Sequence, residues 1–256
     1  MPGTRLDQRL VALGLAPSRA RAAALVAAGV VTVDGRPAAK PAQLVGDAAE
    51  LAVTGEPNPW VSRAALKLVH ALDVFALTPR GIALDLGAST GGFTEVLLAR
   101  GAAHVHALDV GHGQLHPRLR DDPRVSLHEG VNARAIPPGR VPAVDWIVSD
   151  LSFISVEKAL PGPLALARPG ARLVTLVKPQ FEAGPGRVGK GGILRDPALQ
   201  AEIRARIAAW LTARGWQVTG ETESPITGSD GNREFLIAAQ LPGRAAAPAP
   251  APRSAA

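Results

Sequence analysis

Of the 28 basic residues in this 256-residue chain only five are lysines: Lys40, Lys67, Lys158, Lys178 and Lys190. Arginine keeps its proton in any protein environment, whereas a lysine with a lowered pKa can act as a base. Two of the five fall in segments that also carry acids. Lys178 ends the apolar run Leu173 to Val177, and Asp150 ends the run Val144 to Ser149. Lys67 lies on a helical pattern after Trp60, and Glu234 opens the last apolar run after Gly228 to Arg233. A charge at one strand end is usually solvated. Two lysines and two acids brought to one rim would instead suit abstraction of a proton from a weak nucleophile such as a hydroxyl.

The elements that must position these four residues follow from hydrophobic spacing. From Ile82 onward, short apolar strands alternate with helical patterns: strands at Ile82 to Leu86, His104 to Asp109, Val125 to His128, Val144 to Asp150 and Arg172 to Val177, and helices at Gly91 to Arg100, after Gly113, and from Val156 to Ala167. A long helix from Pro197 to Arg214 and two final strands ending at Gln240 complete the pattern. Such alternation predicts a mainly parallel sheet covered by helices on both faces. Ligands meet such sheets at the carboxyl ends of the strands, where Asp150 and Lys178 stand as neighbours. A last strand of opposite sense brings Glu234 to the same rim.

The strand Ile82 to Leu86 runs into Gly87-Ala88-Ser89-Thr90-Gly91-Gly92-Phe93, a glycine-rich turn that opens a helix. Glycines let a backbone approach a ligand closely. A dinucleotide fingerprint would place glycine where Ser89 stands, and Asp85 would repel a pyrophosphate, so a cationic ligand fits better. This loop resembles the S-adenosylmethionine (AdoMet) loop of methyltransferases. Asp109, with Val110 after it, closes the next strand, where related folds hold ribose hydroxyls. Asn132 is a candidate for the adenine edge or, alternatively, a turn former. The expected cofactor contacts are therefore Asp85, Gly87, Ala88, Ser89, Thr90, Gly91, Gly92, Phe93, Asp109, Val110, Asn132 and Asp150.

Before this domain, Leu6, Leu10 and Leu13 share a helical face that stops at Gly14, and Ser18 caps a second helix through Leu25 and Val26 to Gly29. Val31 to Val33 leads to the hairpin pair Asp34-Gly35, with a further short strand from Glu50 to Val53. The stretch Arg5 to Arg36 resembles the alpha-L RNA-binding motif of a ribosomal small-subunit protein and several RNA-modifying enzymes. Residues 1–40 carry six basic residues (Arg5, Arg9, Arg19, Arg21, Arg36, Lys40) against Asp7 and Asp34, and the whole chain has a net charge of +6. Both favour a polyanion. Arg19 and Arg21 at a helix start suit a phosphate backbone. Arg63, Arg134, Arg187 and Lys190 are further candidate RNA contacts.

Val61 to Lys67, Asp85 to Phe93, Ser149 to Ser155, Lys178 to Glu182 and Gly228 to Glu234 together resemble the TlyA (haemolysin A) family, ribosomal RNA 2′-O-methyltransferases with an FtsJ-like catalytic domain. The resemblance implies a Lys-Asp-Lys-Glu tetrad at Lys67, Asp150, Lys178 and Glu234, AdoMet as cofactor, and ribosomal RNA or ribosomal subunits as partner. It departs at the linker, where the arginine-bearing approach to Trp60 in some relatives is here Asn58-Pro59. The expected fold class is α/β, a Rossmann-like AdoMet-dependent methyltransferase domain with a final antiparallel strand, preceded by a small α+β RNA-binding domain. Residues 1–56 form the RNA-binding domain, 57–59 a linker, 60–241 the methyltransferase domain and 242–256 a disordered alanine- and proline-rich tail. Phe153 and Phe181 read first as core residues and second as a stacking platform for a base that has left its helix.

Other classes fit less well. There is no cysteine, and six scattered histidines, with His112 and His116 lacking a third partner, make no metal ligand set. The start lacks an apolar export core and no run of about eighteen uncharged apolar residues occurs, so a cytoplasmic protein without a membrane span is expected, and a pore-forming cytolysin is not. The main alternative is a non-catalytic RNA-binding or ribosome-assembly factor with a degenerate methyltransferase domain.

Overall fold

A computed structural model describes residues 3–54, 59–184, 186–228 and 230–243. Residues 55–58, which include 57 and 58 of the expected linker, and residues 244–256 of the expected tail lie outside the described residues. Two compact units divide between Arg63 and Ala64.

The first unit contains β1 (Thr4–Arg5), α1 (Leu6–Ala12), α2 (Arg19–Ala27), β2 (Val31–Val33), β3 (Arg36–Pro37), β4 (Leu44–Val45) and β5 (Leu51–Val53). Leu6 and Leu10, one helical turn apart on α1, pack with Leu25, Val26 and Val31 in its core. Leu13 does not share that face: α1 ends at Ala12, and Leu13 is 48% exposed in the turn that Gly14 closes with a φ of 70°. Ser18 Oγ accepts from Arg21 N at 3.2 Å and so caps α2. Asp34 and Gly35 have φ of 51° and 75°, the paired left-handed residues that fold β2 back onto β3. β2 also pairs antiparallel with β5.

The second unit begins with α3 (Ala65–Val74), β6 (Ile82–Leu86), α4 (Gly92–Ala99), β7 (His104–Leu108), α5 (Pro117–Arg120), β8 (Val125–His128) and β9 (Val144–Ser149). It continues through α6 (Val156–Ala159), α7 (Pro161–Leu164), β10 (Ala167–Val177), α8 (Pro179–Glu182), α9 (Pro197–Thr212), β11 (Gln217–Glu223) and β12 (Phe235–Gln240). One seven-stranded sheet has the order β11-β12-β10-β9-β6-β7-β8. The neighbours from β10 to β8 are parallel, and β12 runs antiparallel to both β10 and β11. The α/β class and the reversed last strand thus agree with the sequence reading. Leu84, Leu86, Ile147, Leu173 and Ile237 fill one face together with Ile203 and Ile207 of α9, and full burial of each such side chain contributes about 1.5–3 kcal/mol.

The single helix expected from Val156 to Ala167 is broken. Pro161 has no amide hydrogen to continue the ladder, and the chain splits into α6 and α7 before β10 begins at Ala167. β10 starts earlier than Arg172 because Ala167 pairs with Val144, and a register shift follows before Arg172 meets Trp146. The helical pattern after Trp60 becomes helix only from Ala65.

Candidate active site

The parallel register sets the acids and amines side by side. Leu86 of β6 lies beside Ser149 of β9, so Asp150 follows at the level of the glycine turn, and its amide donates to Leu86 O at 3.0 Å. Val177 of β10 faces Phe235 of β12, which puts Lys178 across from Glu234. Lys67 projects from the first turn of α3. Lys67 Nζ lies 2.6 Å from Glu234 Oε2 and 3.3 Å from Asp150 Oδ2. Lys178 Nζ lies 2.6 Å from Asp150 Oδ1 and donates to Ser152 Oγ at 2.8 Å. Lys67, Lys178 and Glu234 are buried and Asp150 is nearly so. Two cations and two anions therefore form one chain of contacts from Glu234 through Lys67 and Asp150 to Lys178. All four residues read from the sequence come together.

The loop that delivers Glu234 is held by Asn232, a buried side chain whose Oδ1 accepts from Leu194 N at 2.9 Å and whose Nδ2 donates to Gly192 O at 2.9 Å. A Cβ at Gly228 would meet Glu234 Oε1 at 2.6 Å, so only glycine leaves the acid its place. Glu182, in the stretch after Lys178, does a different job. Its Oε1 accepts from Val156 N at 2.7 Å at the start of α6, and burial pushes its carboxyl above the usual range.

A cleft of about 410 Å³ opens beside this chain of charges. Gly87, Ser89, Asp109, Val110 and Asp150 line it, as the sequence reading expects. Asp109 is fixed by two amides, Ser89 N to Oδ2 and Gly111 N to Oδ1, each at 2.8 Å. The remaining walls are Leu108, Gln114, Val131, Ala133, Leu151, Ser152 and Phe153. Gln114 lies in a loop with no pattern that could have singled it out.

Other expected cofactor residues stand back from the cleft. Phe93 is buried in the core and Gly92 starts α4. Gly91, with φ of 98°, has no room for a Cβ because Leu119 Cδ1 would lie at 2.3 Å. Ala88 is buried and Thr90 supplies its carbonyl to His116 N, and none of these five residues lines the cleft. Asn132 is a turn former: its Oδ1 accepts from Arg134 N at 3.0 Å, and its neighbours Val131 and Ala133 form the wall instead. Asp85 is fully buried behind the loop. Its Oδ2 accepts from Thr94 Oγ1 at 2.6 Å and its Oδ1 has no hydrogen-bond partner. Burial, joined by the Asp150 and Asp109 charges and opposed by the Thr94 hydroxyl, pushes Asp85 up to about 7.

Phe153 is not a core residue. It is 88% exposed, adopts a φ of 64°, and its ring lies 5.0 Å from that of Phe181. A left-handed backbone at a bulky residue costs about 1–3 kcal/mol, which marks a position held by function or by its surroundings.

The expected RNA contacts divide in two. In the first unit Arg5 Nη2 and Arg19 Nη2 reach the buried Asp7 Oδ2 at 3.0 and 3.1 Å, and Arg9 donates to Asp47 O. The Arg5 guanidinium, with Arg19 beside it, holds Asp7 down at about 2. Arg21 and Arg36 are exposed, with no ion pair among the described residues, and Arg63 is exposed. In the second unit Arg134 is exposed, Arg187 pairs with Glu202 of α9 at 3.2 Å, and the Lys190 side chain lies outside the described residues. Among the described residues no helix is long and apolar enough to cross a membrane, and no group of three or more His, Cys, Asp or Glu side chains could hold a metal ion.

Comparison with known proteins gives the FtsJ-like methyltransferase family over residues 60–241 and an S4 domain over residues 4–51. The chain is 50% identical over 236 residues to the 16S/23S rRNA (cytidine-2′-O)-methyltransferase TlyA of Mycobacterium tuberculosis, covering 91% of this chain and 88% of that one. Hemolysin A of Brachyspira hyodysenteriae is 41% identical over 237 residues, 91% of this chain and 98% of its own. A solved hemolysin-class structure from Streptococcus thermophilus, 39% identical, superimposes with a TM-score of 0.74 over 94% of this chain and 90% of that chain.

Proposed function

The chain belongs to the TlyA family of FtsJ-like methyltransferases, and from this we propose that it transfers the methyl group of AdoMet to a ribose 2′-hydroxyl of ribosomal RNA. The observation that carries the reading is the Glu234-Lys67-Asp150-Lys178 chain of buried charges at the mouth of the cleft. A degenerate methyltransferase scaffold would have no reason to keep two ammonium groups and two carboxylates out of water in this arrangement.

The cleft fits AdoMet by size and by charge. Its volume is within the range of small-molecule sites, and its lining contains the carboxylates of Asp109 and Asp150 and no lysine or arginine. Asp109, held by two amides, would accept the ribose hydroxyls of the cofactor, and Leu108, Val110, Val131 and Ala133 would cover its adenine. When bound, AdoMet supplies a methyl group already activated by its sulfonium. Gly87 gives the loop its close approach: a Cβ there would meet Asp150 O at 2.6 Å.

The residue-dependent task is to take the hydroxyl proton, because an alcohol is a poor nucleophile until it loses it. Lys178 first releases its own ammonium proton to solvent; the free amine, aimed by Ser152, then accepts the hydroxyl proton, and Asp150 at 2.6 Å stabilises the ammonium formed. Lys67 holds Asp150 and Glu234 in place and keeps the total charge of the four groups at zero. Phe153, exposed beside Phe181 at the cleft, stacks on the base of the target nucleotide once that nucleotide leaves its helix. Arg21 and Arg36 contact the RNA backbone.

Following the Mycobacterium tuberculosis relative, the expected product is 2′-O-methylcytidine in RNA of both ribosomal subunits. Mass spectrometry of nucleosides from subunits incubated with the protein and labelled AdoMet tests this. Label on a base, or on no nucleoside, refutes the reading. Replacing both Arg21 and Arg36 with alanine should flatten the salt dependence of RNA binding by roughly 0.7–0.9 log units per decade of salt for each phosphate that is no longer neutralised.

A further inference from the structure

Asp85 is a fully buried acid that the proton-transfer set does not use. It stands on the central strand β6, beside Ala107 of β7 and Val148 of β9. Two residues further along those neighbours come Asp109 and Asp150, so three carboxylates crowd the ends of three adjacent strands. The groups facing Asp85 are the Thr94 hydroxyl and backbone amide from α4, Asp109 from the end of β7 and Asp150 from the end of β9. The amines of Lys67 on α3 and Lys178 after β10 are both engaged by Asp150. Among the described residues Asp85 has no ion pair, and its Oδ1 has no hydrogen-bond partner. A buried carboxylate without a counter-charge is costly, and such a group holds its proton instead. Two residues on, Gly87 lines the cleft in which the proposed function seats a sulfonium. This buried acid without a counter-charge therefore lies directly behind the loop that faces the only cation the reaction brings.

We propose that Asp85 is a charge-coupled positioning residue that keeps its proton in the free protein and releases it when the AdoMet sulfonium occupies the cleft. The O–H bond of the carboxyl breaks, the proton passes to solvent, and the carboxylate left behind stabilises the cation through the loop. Methyl transfer turns the sulfonium into the neutral thioether of S-adenosylhomocysteine (AdoHcy). The carboxylate then has no counter-charge and takes a proton back, so the product is held less tightly than the donor. The inference rests on the AdoMet reading above. By linkage, AdoMet affinity rises with pH through neutrality and levels off once Asp85 is ionised in the free protein, whereas AdoHcy affinity does not follow that rise.

Isothermal titration calorimetry of the full chain at pH 7, in two buffers of different ionisation enthalpy, counts the protons released by each ligand. A carboxyl that titrates near 7 is about half protonated there, so AdoMet should release about half a proton more per site than AdoHcy. Asp85→Asn should abolish that difference, which also subtracts the ligands' own amino groups, and should shrink the AdoMet-to-AdoHcy affinity ratio by about tenfold. Thr94→Val removes the side-chain donor that favours the ionised acid and should move the rise in AdoMet affinity to higher pH, a test that stands even if Asp85→Asn does not fold. Equal proton counts for the two ligands, or a difference that survives Asp85→Asn, overturns the inference alone. A folded protein that binds neither ligand overturns the AdoMet reading with it.

Discussion

In the middle of the sheet, Lys67 and Lys178 meet Glu234 and Asp150 at 2.6–3.3 Å, so each buried charge has an opposite charge beside it. At the β7–β8 edge the sheet buries polar groups with no such balance. His106 Nδ1 lies 3.0 Å from His128 Nε2 with the rings 12° from parallel, so one proton bridges two neutral imidazoles, and His104 pairs with Ser126 Oγ at 2.9 Å. His128 Nδ1 has no partner. Burial first, then the neighbouring imidazoles, hold His106 down at about 4, and burial with Arg140 lowers His128. The centre is held by attraction between ions, and the edge by keeping ions away. Where the proposed function exchanges a proton, the fold preserves charge; at the far edge it suppresses it.

Breaking the centre at the group that moves the proton should have the largest effect. Lys178→Ala should lower turnover by about 10²–10⁴-fold while AdoMet affinity, read by calorimetry, stays nearly unchanged. Near-normal turnover would remove Lys178 as the base. Breaking the centre at its structural cation should cost folding instead. Lys67→Met leaves Glu234 buried without its partner and should destabilise the protein by about 3–5 kcal/mol in urea unfolding, and adding Glu234→Gln should restore part of this. If the single variant unfolds like the wild type, the contact with Glu234 is not what stabilises the site.

The edge should yield to acid. The folded-state value of His106 lies below its ordinary 6.5, so the unfolded chain binds more protons between the two values. The His106 contribution to stability is therefore complete above about 6.5 and is lost as pH drops towards about 4, whereas Asp85, pushed up to about 7, contributes with the opposite sign. The melting temperature of the wild type relative to His106→Asn should therefore fall with acidification across that window. A slope that His106→Asn leaves unchanged assigns the acid sensitivity elsewhere.

Much of this was legible in the sequence, because strand ends are marked by where apolar runs meet a charge or glycine. Ile82 to Leu86 and Val125 to His128 have the bounds expected of them, and the four site residues each stand at such a junction or on the helix that faces it. Where the apolar content ran on without a boundary, the reading failed: Val156 to Ala167 looked like one helix until the prolines at 161 and 163 and the pull of Val144 on Ala167 divided it. Net charge hides a related detail. Arg5 and Arg19, expected as RNA contacts, both pair with the inward-folded Asp7, and no count of residues within a segment reveals which cations an internal acid will engage. Phe153 was unreadable because side-chain type says nothing of a backbone turned to a φ of 64°.

The reversed strand β12 lies between β10 and β11, and it is the last strand among the described residues. Until it arrives, the hydrogen-bonding edge of β10 is open and Lys67 has only Asp150 to grip. A chain that has not yet docked β12 therefore presents a bare strand edge and holds the Lys67 ammonium short of one of its two acids, so closing the sheet and completing the charge cluster are one event.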